Sequence, residues 1–159
     1  MNDKDYWQNL EEQEESFNNK KIENRLWKKA ESSVAKRTGA RKTHASGSKG
    51  EKGDCVNSKY CFEVKSTIRR YYTLSIESLY KIKRQAGTRI PVLVIEFGDG
   101  LQRYLVMSDE DMVPTSEEVK FDWSTSVTVT LYSSSLEEGD HILVNKDVWI
   151  VKNPKDLRD

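Results

Sequence analysis

The stretch Gly53-Asp-Cys-Val-Asn-Ser-Lys-Tyr-Cys-Phe-Glu-Val-Lys-Ser-Thr67, GDCVNSKYCFEVKST, holds two short apolar segments around a polar Asn57-Ser58 pair. Such a pattern predicts two strands, about 53–57 and 60–67, joined as a hairpin. Side chains alternate across a strand, so Phe62 and Val64 face one side while Glu63 and Lys65 share the other. Antiparallel pairing then brings Asp54 close to Glu63. Two carboxylates at close range repel each other, and a hard divalent cation relieves that repulsion. Magnesium suits so sparse a site, because it binds through one or two carboxylates, keeps several waters and accepts phosphate oxygens. Lys65 is placed to orient or deprotonate water, or to neutralise charge on a phosphoryl transition state. The same residues also read as an ordinary cross-strand ion pair on a solvated ribbon.

Outward from this ribbon the pattern is that of a layered α/β domain. Upstream, Ile22, Leu26, Ala30 and Val34 recur every four residues and stop at Gly39, which predicts a helix over 20–38. Residues 39–53, GARKTHASGSKGEKG, have no periodicity and read as an exposed loop. Residues 1–19 are too polar to pack and read as a frayed arm or an acidic helical extension. Downstream, Ser75 is a candidate cap for a helix with Ile76, Leu79, Ile82 and Ala86 toward the core, ending at Gly87. PVLVIEF reads as a buried strand, residues 98–100 (GDG) as a turn, and LQRYLVM as the returning strand. SVTVTLYS and HILVNKDVWIVKN read as further strands, the second a hairpin turning near Asn145-Lys146-Asp147. The expected fold is therefore a central mixed sheet flanked by helices, with extra C-terminal strands. The chain divides into an acidic arm (1–19), a core (20–110) and an acidic β extension of the same domain (111–159).

Composition narrows the functional classes. With 159 residues, 36% hydrophobic and 33% charged, the chain can bury one modest core. No apolar run reaches the ~20 residues needed to span a bilayer, and the polar start lacks the layout of a secretory signal, so a cytoplasmic protein is expected. Cys55 and Cys61 are too few for a disulfide framework and are expected to be free, half-buried thiols. His44 and His141 are too far apart to complete a finger-like zinc site with them. The four tryptophans, Trp7, Trp27, Trp123 and Trp149, are too scattered to suggest a stacking platform.

The net charge of zero conceals an uneven distribution. Residues 1–19 carry one Lys and six acids, net −5; residues 20–52 carry eleven Lys/Arg and three acids, net +8. Residues 53–91 carry eight basic and three acidic side chains, net +5, and residues 92–159 six and fourteen, net −8. A basic middle beside an acidic end suits a polyanionic partner. Arg37, Arg41, Lys42, Lys49 and Lys52 flank the Asp-Glu-Lys set on one side and Arg69 and Arg70 on the other. These are candidates for salt-sensitive, sequence-independent contacts to DNA phosphates. The acidic final third is open to three readings: a dimerisation element, a mimic of nucleic acid, or additional sheet with charged edges.

Residues 31–67, ESSVAKRTGARKTHASGSKGEKGDCVNSKYCFEVKST, resemble the PD-(D/E)xK nuclease superfamily, and within it the archaeal and phage Holliday-junction resolvase-like proteins. The features in common are a glutamate on the first helix, a basic stretch, a Ser-Gly loop, Gly-Asp opening one strand and Glu-x-Lys on the next. The resemblance spans about residues 22–107. Gly53-Asp54 stands where the superfamily's name has Pro-Asp. The resemblance implies a restriction-endonuclease-like core and a magnesium-dependent endodeoxyribonuclease acting on branched DNA in recombination or repair, with manganese as a substitute ion. It also implies a homodimer and a phage or mobile-element origin. Asp54 and Glu63 become the main metal ligands, joined by the Val64 carbonyl and by Glu31 directly or through water. Lys65 becomes the catalytic lysine, and Ser46 and Ser48 belong to a loop touching the scissile phosphate. Two alternatives stand beside this reading: a related nuclease acting on linear duplex or flaps, and a DNA-binding module without catalysis.

Overall fold

The computed structural model describes residues 2–43, 53–108 and 114–159. The chain opens with one long helix, α1 (Asp3–Thr38). Asn2 caps it, its side-chain oxygen accepting from the Asp5 N–H at 2.9 Å, while Asp3 and Asp5 lie at the positive end and Lys36 and Arg37 at the negative end. Gly39, at φ 67°, terminates it. The acidic arm is thus the helical extension of the two forms expected, and the helix begins at residue 3 instead of 20. At 1.5 Å per residue it is about 54 Å long, yet only Ala30, Val34 and Thr38 are buried. Ile22, expected on the core face, is 49% exposed. Four-residue spacing defines a stripe, but the globule is too short to cover its N-terminal end.

The strands that follow are β1 (Arg41–Lys42), β2 (Cys55–Val56), β3 (Tyr60–Ser66) and β4 (Tyr71–Ser75). Helix α2 (Ile76–Ala86) leads to β5 (Ile90–Glu96), β6 (Gln102–Met107), β7 (Val119–Asp122), β8 (Thr128–Tyr132), β9 (His141–Val144) and β10 (Asp147–Lys152). Short 3-10 turns occupy Ser133–Ser135 and Pro154–Leu157. Eight strands form one mixed sheet in the order β1-β2-β3-β5-β6-β10-β9-β7, and β4 pairs with β8 in a separate ribbon. Inside the sheet β3 and β5 are parallel, with Glu63 opposite Leu93, Val64 opposite Val94 and Lys65 opposite Ile95. The expected central mixed sheet flanked by helices is the fold observed.

Period-two alternation divides the core between the sheet's faces. Phe62, Val64, Val92, Val94 and Tyr104 pack with Ala30 and Val34 of α1. Leu93, Ile95 and Leu105 pack with Leu79 and Ile82 of α2 and with Trp149. Strand β5 is covered on both sides, which explains its unbroken apolar run. The acidic final third is additional sheet: β10 pairs with β6, β9 with β10, and β7 runs parallel to β9. The tail returns to the β2–β3 turn, where Asn57 donates from Nδ2 to the Leu157 carbonyl at 2.9 Å and to the Thr38 carbonyl at 3.3 Å. Three short strands, β1, β4 and β7, lie where no strand was expected, because two to five residues with mixed exposure carry little periodic signal. Ser75 occupies the N-cap of α2 without a side-chain capping bond. Cys55 and Cys61 are both buried thiols, not half-buried.

Gly98 marks a close backbone crossing that bears on the site. Its N–H donates to the Arg69 carbonyl at 2.8 Å, and a Cβ there would lie 2.0 Å from the Ile68 carbonyl oxygen. Backbone on both sides leaves nothing soft to yield. A Gly98→Ala protein is expected to lose about 1–3 kcal/mol, read as a lower urea midpoint at unchanged m-value. An unchanged midpoint would show that the crossing relaxes without cost.

Candidate active site

The site is built where β2 begins. Gly53 takes φ 94°, and an added Cβ would come 2.6 Å from Cys61 Sγ, so both its conformation and its space call for glycine. Asp54 then joins the ladder, its N–H donating to the Phe62 carbonyl at 2.9 Å. Its carboxylate turns back across β3, where Oδ2 accepts from the Val64 N–H at 2.8 Å. A side chain, not a neighbouring strand's carbonyl, thus satisfies this β3 amide and holds the carboxylate beside Glu63. On the outer side, Thr43 donates from its N–H to the Asp54 carbonyl at 3.1 Å and from its hydroxyl to the Gly53 carbonyl.

Glu63 and Lys65 share a face as their spacing requires, with Lys65 Nζ 3.5 Å from Glu63 Oε1. The lysine side chain is 38% exposed and the glutamate 21%. Glu31 arrives from α1, whose position is fixed by buried Ala30 and Val34 and by a contact in which the Cys55 thiol donates to the Glu31 carbonyl at 3.7 Å. Its carboxyl group hydrogen-bonds with that of Asp54. Burial, then the Asp54 charge and that bond, push Glu31 up to about 7, against the pull of Lys42. Glu63 is also raised, first by burial and then by the charge of Asp54, while Lys65 and Lys81 of α2 oppose the rise. Burial and the same carboxylates push the Cys55 thiol up to about 12, which makes it an inert packing group.

Glu31, Asp54 and Glu63 therefore act on one another electrostatically. Among the described residues, no group of three or more His, Cys, Asp or Glu side chains is arranged to hold a metal ion. The chemistry of the set nonetheless fits a hard divalent cation, because the donors are all oxygen and, after burial, it is the neighbouring negative charge that raises Glu31 and Glu63, which such an ion offsets.

The remaining expected residues are dispersed. Lys42 joins the site, its Nζ donating to Ser32 Oγ at 2.6 Å near Glu31, and Arg41 is its exposed neighbour on β1. Arg37 is directed to the hydroxyl of buried Tyr104 on the sheet, which gives it a structural partner. Arg69 donates to the Tyr71 hydroxyl at 2.6 Å, and Arg70 lies near Asp99. Ser46, Ser48, Lys49 and Lys52 fall outside the described residues. Sequence reading did not single out Lys81, since only the packing of α2 on the sheet turns it toward Glu63; nor did it place Trp27 beside Lys65, where both line one groove.

The raised Glu31 carries a pH dependence. The folded protein holds this proton more tightly than the unfolded chain, so its stabilisation is complete below about 4.5 and is lost as pH rises through about 7. In EDTA, Tm is expected to fall between pH 5 and pH 8, and a Glu31→Gln protein to fall less. After discounting for solvent screening the difference is about 1 kcal/mol, or roughly 3 °C. Equal slopes for the two proteins would place the proton elsewhere.

No protein family matches this chain, and neither the curated proteins nor the solved structures yield a match. Among the described residues no helix is long and apolar enough to cross a membrane.

Proposed function

We propose that this protein is a metal-dependent, structure-specific DNA endonuclease that hydrolyses phosphodiesters of branched DNA, four-way junctions foremost. The observation that carries the reading is Asp54 set between Glu31 and Glu63, with the Lys65 ammonium 3.5 Å from Glu63. Asp54, Glu63 and the Val64 carbonyl would hold magnesium or manganese, with Glu31 direct or through water. When bound, the ion supplies positive charge to the scissile phosphate and makes water at the site more acidic. The chain's own groups do the rest. Glu31, poised near neutrality, would give up its carboxyl proton where a cation is held beside it. Lys65 offers a cation to the phosphate from the partly exposed side of Glu63, and Arg41, Lys42, Arg69 and Arg70 orient the backbone. Four-way junctions approach two-fold symmetry, so paired cuts call for a homodimer. Action on DNA in the cytoplasm accompanies this reading.

Incubating the protein with a synthetic four-way junction and magnesium, beside a flap and a plain duplex, is expected to give metal-dependent nicks with the junction cut fastest. Preference for the flap or the duplex would move the reading to a linear-DNA nuclease with the same residues. That no group of three such side chains is arranged for a metal among the described residues favours one rival, a DNA-binding module without chemistry. That module would bind DNA equally in EDTA and yield no product at any metal concentration.

A further inference from the structure

A groove of about 530 Å³ opens beside Lys65, between α1 and the segment running from the end of β3 to the start of β4. Trp27 forms part of one wall and is 40% exposed, one helical turn before Glu31. The opposite wall carries Ile68, Arg69 and Tyr71. The Arg69 guanidinium is pre-ordered there, bonded to the Tyr71 hydroxyl at 2.6 Å with its carbon 5.4 Å from the ring centroid. An exposed indole with fixed and mobile cations, Arg69 and Lys65, suits a chain that is both anionic and flat-sided.

We infer that this groove seats an unpaired nucleotide segment, with Trp27 as the stacking surface and Arg69 at a phosphate, Tyr71 holding that arginine from between it and the Tyr132 ring, 5.9 Å away. A base inside a duplex hides both faces against its neighbours, so only a splayed strand can present one to this ring. Lys65 lines the groove, which places an unpaired segment next to the site where the backbone would be cut. The inference deepens the nuclease reading and rests on it for the identity of that neighbouring site: it makes branch or end recognition a matter of capturing an unstacked base.

The test is binding in EDTA, where cleavage plays no part. Titrating a fluorescein-labelled 12-nucleotide single strand by anisotropy, Trp27→Ala should weaken binding about five- to a hundredfold, the loss expected when one stacked base is left without its ring. Trp27→Phe should retain most of the affinity, and a blunt duplex of equal length should bind both variants within twofold of the unaltered protein. Single-strand binding unchanged in Trp27→Ala would overturn the assignment, as would an equal loss for strand and duplex. If the strand binds through Trp27 while no DNA is ever cut, the groove stands and the nuclease reading falls.

Discussion

An Asp54→Asn protein is expected to cut a four-way junction at least about a thousandfold more slowly than the unaltered chain while folding as stably or more so. The two halves of this expectation come from one carboxylate. Asp54 raises the proton affinity of both Glu31 and Glu63, so its charge is a source of repulsion in the folded state. Asparagine removes that charge yet keeps an oxygen for the Val64 N–H, which Asp54 now satisfies at 2.8 Å. Alanine would strip that bond as well and cost about 1 kcal/mol; cleavage should fall equally for both. With the charge gone, Glu31 should titrate nearer its ordinary value of 4.5. Loss of activity with retained or increased Tm is the signature of a side chain kept for chemistry at the expense of stability. Junction cleavage by Asp54→Asn at the unaltered rate would remove the nuclease proposal.

A Lys65→Ala protein is expected to lose about 10²–10⁴-fold in cleavage rate. Its ion pair with Glu63, at 3.5 Å and partly exposed, is worth under about 1 kcal/mol, so stability should hardly change. Removing the ammonium takes away one of the two lysines that oppose the rise in Glu63, whose proton affinity should increase further. Divalent-cation binding, measured calorimetrically, should survive above neutral pH because the carboxylates remain. Lys65→Arg should recover only part of the rate, since the guanidinium keeps the charge but not the lysine's compact, titratable ammonium. A loss of less than threefold would mark Lys65 as an ordinary surface partner of Glu63 and favour the binding module.

Much of this architecture was legible residue by residue. The alternation through Phe62-Glu63-Val64-Lys65 put Glu63 and Lys65 on one face, and the pair is found there. The apolar run 90–97 announced a strand buried on both sides, and Ile76, Leu79, Ile82 and Ala86 marked the buried stripe of α2. The hairpin turn at Asn145 was visible in its composition, and that residue takes φ 55°, which asparagine tolerates. Helix α1 was less legible, because most of its length ahead of Leu26 is exposed and its extent rests on capping and propensity. The four tryptophans were too scattered along the chain to suggest a stacking platform, and the fold brings one of them into a groove with a tyrosine. Trp27 and Tyr71 share a groove although 44 positions separate them.

By itself, then, the sequence determined what periodicity and turn chemistry can carry: element type, the face each side chain takes, and the adjacency of Asp54 to Glu63 across a tight hairpin. Only the tertiary structure decided that Glu31 meets Asp54, that Lys81 attends Glu63, that β10 joins β6 to bring the acidic end into the same sheet, and that a groove opens at Lys65. The physical reason is the range of the forces. Backbone sterics and alternation act over a few residues, whereas the seat of α1 across the sheet is chosen by packing Ala30 and Val34 against Phe62, Val64 and Val94, which lie 28 to 64 positions away along the chain.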